Sequence, residues 1–190
     1  MRIISGFLKG KFIDFVKNSK TRPLKDSVKE NIFNILKHSN LINVKIEDSK
    51  ILDLYSGIGS FGIESISRGA KKVTFLEKDK FALEILQENL NKLSISEKAE
   101  LYNLEVEVYL KKNKKKKFDI FFFDPPFADN SFLKNLNYIK INNLFNKKHI
   151  VIIHRERERD ENLDKYIKNI ITKFYGRSKI IFGKFNLEKS

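Results

Sequence analysis

The chain has 190 residues, a length that fits one domain with a substantial buried core. Its lack of cysteine excludes disulfides and thiolate metal sites. No apolar run approaches the ~20 residues of a membrane span, so we expect a cytoplasmic protein. The net charge of +14 suits a polyanionic partner, although an AT-rich genome would also enrich the chain in lysine.

The first part of the chain is predicted to be an extension, residues 1–40, which precedes the main domain in residues 41–190. Its pattern predicts a hairpin of Ile3–Phe7 and Lys11–Phe15 turning at Lys9-Gly10, then a helix near Leu24–His38 with apolar residues at a period close to 3.6. We expect basic side chains of this arm to lie beside the substrate face and to bind phosphates. These candidates are Lys9, Lys11, Lys17, Lys20, Arg22 and Lys25.

Residues 51–62 combine an apolar strand, 51–55, with a glycine-rich turn and the start of a helix, 61–68. Glycines at 57 and 59 let the backbone pass close to a ligand, and the helix start offers unpaired N–H groups. The next strand, 72–76, ends at Glu77, whose carboxylate is placed to accept both hydroxyls of a ribose. The pattern therefore predicts a nucleoside cofactor held by Asp53, Tyr55, Ser56, Gly57, Gly59 and Glu77.

Two cofactors fit this glycine pattern. Gly57, Gly59 and Gly62, followed by an acid twenty residues after the first glycine, also satisfy the dinucleotide fingerprint of NAD enzymes. Asp53 favours the other candidate, because a carboxylate repels a pyrophosphate and attracts the ammonium of a methionine group. S-adenosylmethionine is therefore the predicted cofactor.

The remaining elements continue to alternate. We predict a helix at 80–92, a strand at 99–103, a helix at 105–111, a strand at 118–123, a helix at 130–138 and a strand at 148–154. Two last strands, near 168–175 and 178–186, are joined by a hairpin-like turn. This order predicts an α/β fold, a parallel sheet with helices on both faces and a ligand crevice at the carboxyl ends of the strands. The histidines, His38, His149 and His154, lack metal-ligand spacing and are predicted to be surface or turn residues, so no metal is expected.

The apolar strand 118–123 ends abruptly in Asp124, Pro125, Pro126 and Phe127. The prolines stop both ladder pairing and helix formation, so the Asp124 carboxylate, the Asp124 and Pro125 carbonyls and the Phe127 ring are held rigidly at the strand end. Two acceptors and an aromatic face can grip a planar amine and aim its lone pair. The alternative is a plain turn, because Asp and Pro are ordinary turn residues.

These motifs resemble those of the bacterial 16S ribosomal RNA guanine-N2 methyltransferases. The resemblance rests on residues 2–11, the Arg22-to-Phe33 segment, Asp53 to Ala70, and Asp124 to Phe127, and it covers nearly the whole chain. It implies a Rossmann-like class I methyltransferase fold with one antiparallel strand inserted in the sheet. It also implies transfer from S-adenosylmethionine to a guanine N2 of 16S rRNA, in naked RNA or in a small-subunit particle.

The chain departs from this family in two places. Leu24 and Lys25 stand where the family usually has hydroxyl residues, and the acid expected near the adenine ring matches Glu105, with Asn103 as the second choice. Three alternatives stay open from the sequence: an adenine-N6 methyltransferase acting on DNA or RNA, a small-molecule dehydrogenase, and a non-catalytic RNA-binding module.

Overall fold

The computed structural model describes residues 1–15 and 24–186. Within these ranges the helices are α1 (Asp26–His38), α2 (Ser60–Ser67), α3 (Lys80–Lys92), α4 (Val106–Lys112) and α5 (Phe132–Ile141). The strands are β1 (Lys50–Leu54), β2 (Lys72–Leu76), β3 (Ala99–Tyr102), β4 (Phe118–Phe123), β5 (Phe145–Glu156), β6 (Ile167–Tyr175) and β7 (Ser178–Phe185). In the described part of the chain, no helix has the length and apolar character needed to cross a membrane.

The strands form one sheet in the order β3-β2-β1-β4-β5-β7-β6. Strands β1 to β5 are parallel, while β7 runs antiparallel between β5 and β6. This topology confirms the predicted class I methyltransferase fold, including the inserted antiparallel strand. The strand order reverses between β1 and β4, so the ligand crevice of such a sheet lies at their carboxyl ends.

Helices cover both faces of the sheet. The packing of β4 between them explains why its sequence is almost wholly apolar. Phe122 points to one face, where its ring stacks on Phe61 of α2 with centroids 4.0 Å apart. Phe121 points to the other face and meets Phe185 of β7 edge-on at 5.3 Å. A strand buried on both sides requires apolar residues at consecutive positions, and this packing fixes the point at which β4 ends.

The predicted N-terminal hairpin is only partly formed. Its single bridge joins Arg2 and Phe12, and the residues between them follow a wider turn than the predicted Lys9-Gly10 corner. Gly6 adopts a φ of +84°, and a Cβ added there would lie 1.8 Å from the Ser67 carbonyl oxygen. The close approach to α2 bends the arm early, so the predicted strands Ile3–Phe7 and Lys11–Phe15 are too long.

The arm is held against α2 by a buried acid. The Glu64 carboxylate, fully buried, accepts backbone N–H bonds from Ile4 (2.8 Å) and Ser5 (3.0 Å). Phe7 N–H donates to the Ser67 carbonyl at 2.9 Å, at the last residue of α2. Helix α2 begins beside the strand ends and finishes before β2 starts. The arm's turn therefore lies toward the edge where strands begin, and the placement of the arm's basic residues beside the substrate face stays a prediction.

Strand β5 is longer than predicted and contains two of the three histidines. His149 is buried: its Nδ1 lies 2.8 Å from the Asn146 carbonyl oxygen, and its Nε2 accepts the Phe185 N–H at 2.9 Å. Burial lowers the pKa of His149, which is consistent with a neutral ring. The surface or turn prediction was therefore wrong for His149, while exposed His38, at the end of α1, agrees with it.

Candidate active site

Three loops meet at the carboxyl edge of the sheet, one each after β1, β2 and β4. Ser56 N–H donates to the Leu76 carbonyl at 3.0 Å, which ties the first loop to the end of β2. Leu54 pairs with Phe123, so the residues that follow, Tyr55 and Asp124, lie level on neighbouring strands. The structure thus brings the predicted cofactor loop and the predicted amine clamp together.

The loop after β1 is shaped by residues with positive φ. Tyr55, Gly57 and Gly59 have φ angles of 64°, 52° and 82°. A Cβ added to Gly57 would meet nothing within 4 Å, whereas one added to Gly59 would lie 2.3 Å from the Leu86 Cδ1. Gly57 is therefore the glycine whose backbone faces open space, and Gly59 is needed for packing against α3.

The Glu77 carboxylate joins two loops. Its Oε2 accepts the Gly57 N–H at 2.7 Å, and its Oε1 accepts the Asp79 N–H at 2.9 Å. An ionised carboxylate has about four lone-pair sites, so each oxygen can still accept a further hydrogen bond. Two backbone donors fix this group in orientation, as a ribose-binding carboxylate requires.

Asp53 is buried beneath the cofactor loop. Its Oδ2 accepts the Gly62 N–H at 3.0 Å in the first turn of α2. Burial raises the pKa of Asp53 well above its usual value; the Gly62 bond opposes the increase, and the negative charges of Asp124 and Glu77 add to it. A cationic ligand in this crevice would relieve the repulsion among the three carboxylates.

Tyr55 and Ser56 contribute differently to the loop. The Tyr55 hydroxyl accepts a hydrogen bond from the Asn135 amide of α5 at 2.9 Å, and burial raises the pKa of Tyr55 to about 12. The Ser56 hydroxyl donates back to the Leu76 carbonyl at 3.3 Å. Both side chains bind the protein itself, so their predicted cofactor contacts would come from the loop backbone.

The Asp124 carboxylate is one quarter exposed and has a partner that sequence reasoning missed. His154 Nδ1 lies 2.8 Å from Asp124 Oδ1, and the His154 ring meets Phe127 in a T-shaped contact with centroids 5.6 Å apart. Phe123 pairs with Ile153, so the next residues, Asp124 and His154, lie side by side. The prediction of His154 as a surface or turn residue was wrong, and its place just after the apolar run of β5 is the signal that could have found it.

Arg155, the next residue of β5, contacts the rest of the same loop. It is fully buried and donates to the Pro126 carbonyl (3.1 Å, from Nη1) and the Phe127 carbonyl (3.0 Å, from Nη2). Among the described residues the Pro125 carbonyl has no hydrogen-bond partner, and neither has Asp124 Oδ2. Within the described ranges, two acceptors of the predicted clamp thus have no hydrogen-bond partner, and the half-buried Phe127 ring lies on the same loop.

Two further predicted site residues, Glu105 and Asn103, contact the loop after β2. Glu105, at the start of α4, is two-thirds exposed and forms an ion pair with Lys78 at 3.5 Å. The Asn103 amide donates to the carbonyls of Glu77 and Lys78, at 2.9 and 3.0 Å. The basic candidates Lys9, Lys11 and Lys25 are exposed on the surface, and Arg22, Lys17 and Lys20 lie outside the described residues.

The residues present fit S-adenosylmethionine. Gly57 offers backbone next to open space, Glu77 offers a fixed carboxylate for a ribose, and the negative charge of the crevice suits a sulfonium and an ammonium. In the described ranges, no group of three or more His, Asp or Glu residues is placed to hold a metal ion. A pyrophosphate, in contrast, would add charge to a crevice that is already negative.

Comparison with known proteins identifies the family. The family described as "Conserved hypothetical protein 95" matches residues 1–184. The chain belongs to this family. It is 35% identical over 161 residues to "Ribosomal RNA small subunit methyltransferase D" of Haemophilus influenzae, covering 84% of this chain and 80% of that protein. It is 33% identical to the protein of the same name from Buchnera aphidicola subsp. Acyrthosiphon pisum, covering 82% and 78%.

A solved structure agrees with this assignment. "Putative methyltransferase yhhF from Escherichia coli" superposes with a TM-score of 0.84 at 25% identity and covers 99% of each chain. The predicted resemblance to a family of rRNA methyltransferases is therefore confirmed, and with it the predicted cofactor, S-adenosylmethionine.

Proposed function

We propose that this methyltransferase transfers a methyl group from S-adenosylmethionine to the exocyclic N2 of a guanine in 16S rRNA. The main support for the proposal is a pair of acceptors at the end of β4, next to the cofactor loop of β1, that have no hydrogen-bond partner in the part of the chain that the structure describes. Asp124 Oδ2 and the Pro125 carbonyl lie on a loop fixed from the neighbouring strand by His154 and Arg155.

A nucleobase amine needs this kind of help. Its lone pair is delocalised into the ring, so the nitrogen is a poor nucleophile in its planar form. When Asp124 and Pro125 accept its two N–H hydrogens, and Phe127 stacks on the base, the nitrogen is drawn toward a tetrahedral geometry. Proximity and orientation of this kind can lower a barrier by roughly 7–11 kcal/mol without a strong base.

When bound, S-adenosylmethionine supplies an electrophilic methyl group. Glu77 would hold the ribose of the cofactor, and Asp53 would attract its ammonium. The Gly57 backbone would lie against the cofactor between these two groups. A nitrogen–carbon bond forms as the carbon–sulfur bond breaks, and the nitrogen then loses a proton. Asp124 Oδ2 is the proton acceptor nearest to that nitrogen in the proposed complex.

Ribosomal RNA is the proposed substrate class because curated relatives are named small-subunit rRNA methyltransferases. The choice of guanine N2 rests on the resemblance of the motifs. In a duplex the amine of a guanine is engaged in base pairing, so the target guanine must be unpaired or flipped out to reach the clamp. The charge of +14 suits an RNA partner, and we expect the protein to act in the cytoplasm.

Product analysis tests the proposal. Purified protein and tritiated S-adenosylmethionine would be incubated with small ribosomal subunits from a host that lacks its own guanine-N2 enzyme, and with naked 16S rRNA. Digestion to nucleosides should show label in N2-methylguanosine. Label in N6-methyladenosine would overturn the base assignment and keep the clamp. No label on either RNA, with cofactor bound, would favour a non-catalytic RNA-binding module.

A further inference from the structure

A buried ion pair lies directly behind the proposed amine clamp. Arg155 has no exposed surface, and its Nε donates to Glu161 Oε1 at 2.8 Å. The Glu161 side chain is 8% exposed and comes from the segment that links β5 to β6. Burying two charges is costly unless further contacts use them, so their remaining contacts indicate what the pair does.

Arg155 distributes its donors over the clamp loop. Nη1 donates to the Pro126 carbonyl and Nη2 to the Phe127 carbonyl, while the guanidinium lies 4.6 Å from the centroid of the Phe132 ring in α5. Proline has no N–H, so Pro125 and Pro126 can donate no backbone hydrogen bond. The guanidinium fork supplies donors to two carbonyls of this loop, and the Pro126 carbonyl also accepts the Asp129 N–H at 2.8 Å.

The carbonyls of the clamp loop differ in whether Arg155 binds them. Arg155 engages the carbonyls of Pro126 and Phe127, and the preceding carbonyl, that of Pro125, has no partner among the residues that the structure describes. Turning two successive carbonyls toward Arg155 restricts the orientation of the Pro125 carbonyl, the proposed second acceptor. Glu161 holds the guanidinium in the plane that allows both bonds.

We propose that Arg155 and Glu161 are positioning residues, which set the Pro125 carbonyl and the Phe127 ring for methyl transfer without touching cofactor or substrate. This proposal rests on the proposed function of the Asp124–Phe127 loop. Lysine at position 155 would keep the charge but could not span two carbonyls and a carboxylate. Misplacement of a reacting group by about 1 Å can reduce the rate about 100-fold.

Steady-state kinetics on Arg155→Lys and Glu161→Gln test the proposal. We expect kcat to fall about 100-fold in Arg155→Lys and less in Glu161→Gln, with the cofactor dissociation constant within about threefold of wild type. The matched controls are Arg157→Lys and Glu158→Gln, whose side chains are 53% and 90% exposed, and these should keep wild-type kcat. A kcat within threefold of wild type in Arg155→Lys would overturn the proposal. If Arg155→Lys does not fold, a kcat of Glu161→Gln within threefold of wild type would overturn the proposal instead.

A second readout does not depend on activity. The chain contains no tryptophan, so Phe127→Trp places a single tryptophan in the clamp loop, which can be excited selectively over the six tyrosines. Its fluorescence anisotropy should fall when Arg155→Lys or Glu161→Gln is added and should not change with Glu158→Gln. If neither Arg155→Lys nor Glu161→Gln changes the anisotropy, the positioning role is overturned even if wild-type protein methylates RNA. A fall in anisotropy together with an inactive wild type would instead reject the proposed function.

Discussion

The Nδ1 atom of His154 lies 2.8 Å from Oδ1 of Asp124, so the carboxylate that ends β4 is oriented by the neighbouring strand β5. Oδ2, the other oxygen of the carboxylate, has no hydrogen-bond partner among residues 1–15 and 24–186. The same His154 ring meets the edge of Phe127. One side chain therefore contacts both the proposed acceptor and the proposed stacking ring of the clamp.

Replacing this histidine should slow transfer without weakening cofactor binding. A hydrogen bond to a charged group contributes ~1.5–3 kcal/mol, so we expect kcat to fall about 10- to 100-fold in His154→Ala. His38→Ala, at the exposed end of α1, is the matched control and should match wild type. Comparable kcat values for His154→Ala and His38→Ala would show that His154 does not support the clamp.

Glu77→Ala should weaken cofactor binding by ~1–3 kcal/mol, the cost of leaving hydrogen-bonding partners unpaired. The Gly57 and Asp79 N–H groups would lose their acceptor together with the proposed ribose hydroxyls. Isothermal titration calorimetry with S-adenosylmethionine measures the change, and Glu84→Ala, more than half exposed on α3, serves as control. An unchanged dissociation constant in Glu77→Ala would place the ribose elsewhere.

Cofactor affinity should rise with pH through Asp53. Burial raises the pKa of this carboxyl above its ordinary value of ~3.9, and a bound ammonium favours the ionised form. Binding should therefore release protons from the fraction of molecules in which Asp53 is protonated. Calorimetric titrations with S-adenosylmethionine in buffers of different ionisation enthalpy would detect this release. Asp53→Asn should release fewer protons on binding than wild type. Identical proton release in wild type and Asp53→Asn would contradict the assignment.

Stability should fall with decreasing pH through His149. Its folded pKa is lowered by burial, so between the unfolded value of ~6.5 and that lower value the unfolded chain binds more protons than the folded protein. Stability is then lost as pH falls through this window, because protonation of Nε2 would oppose the Phe185 N–H. Thermal melts from pH 7.5 to 5 should show a smaller loss in His149→Gln than in wild type, while the exposed control His38→Gln should follow wild type.

Most of the fold was predicted from local sequence patterns. The glycine turn and the Asp-Pro-Pro-Phe loop each follow an apolar strand, and parallel strands place their carboxyl ends at one edge, so the sequence predicted that Asp53, Glu77 and Asp124 meet there. The partners of the clamp were not predicted, because His154 and Arg155 lie about thirty residues later in the chain and reach the clamp only through the register of β5. The strands of the N-terminal hairpin were predicted too long because Gly6 fits against the Ser67 carbonyl, a contact that no local pattern encodes.

In the proposed mechanism Asp124 grips the target amine and takes no part in holding the cofactor. Methyl transfer to small subunits and cofactor affinity should be measured side by side on wild type and Asp124→Ala. We expect transfer to be abolished while the dissociation constant for S-adenosylmethionine stays within several-fold of wild type. Retained turnover in Asp124→Ala would contradict it.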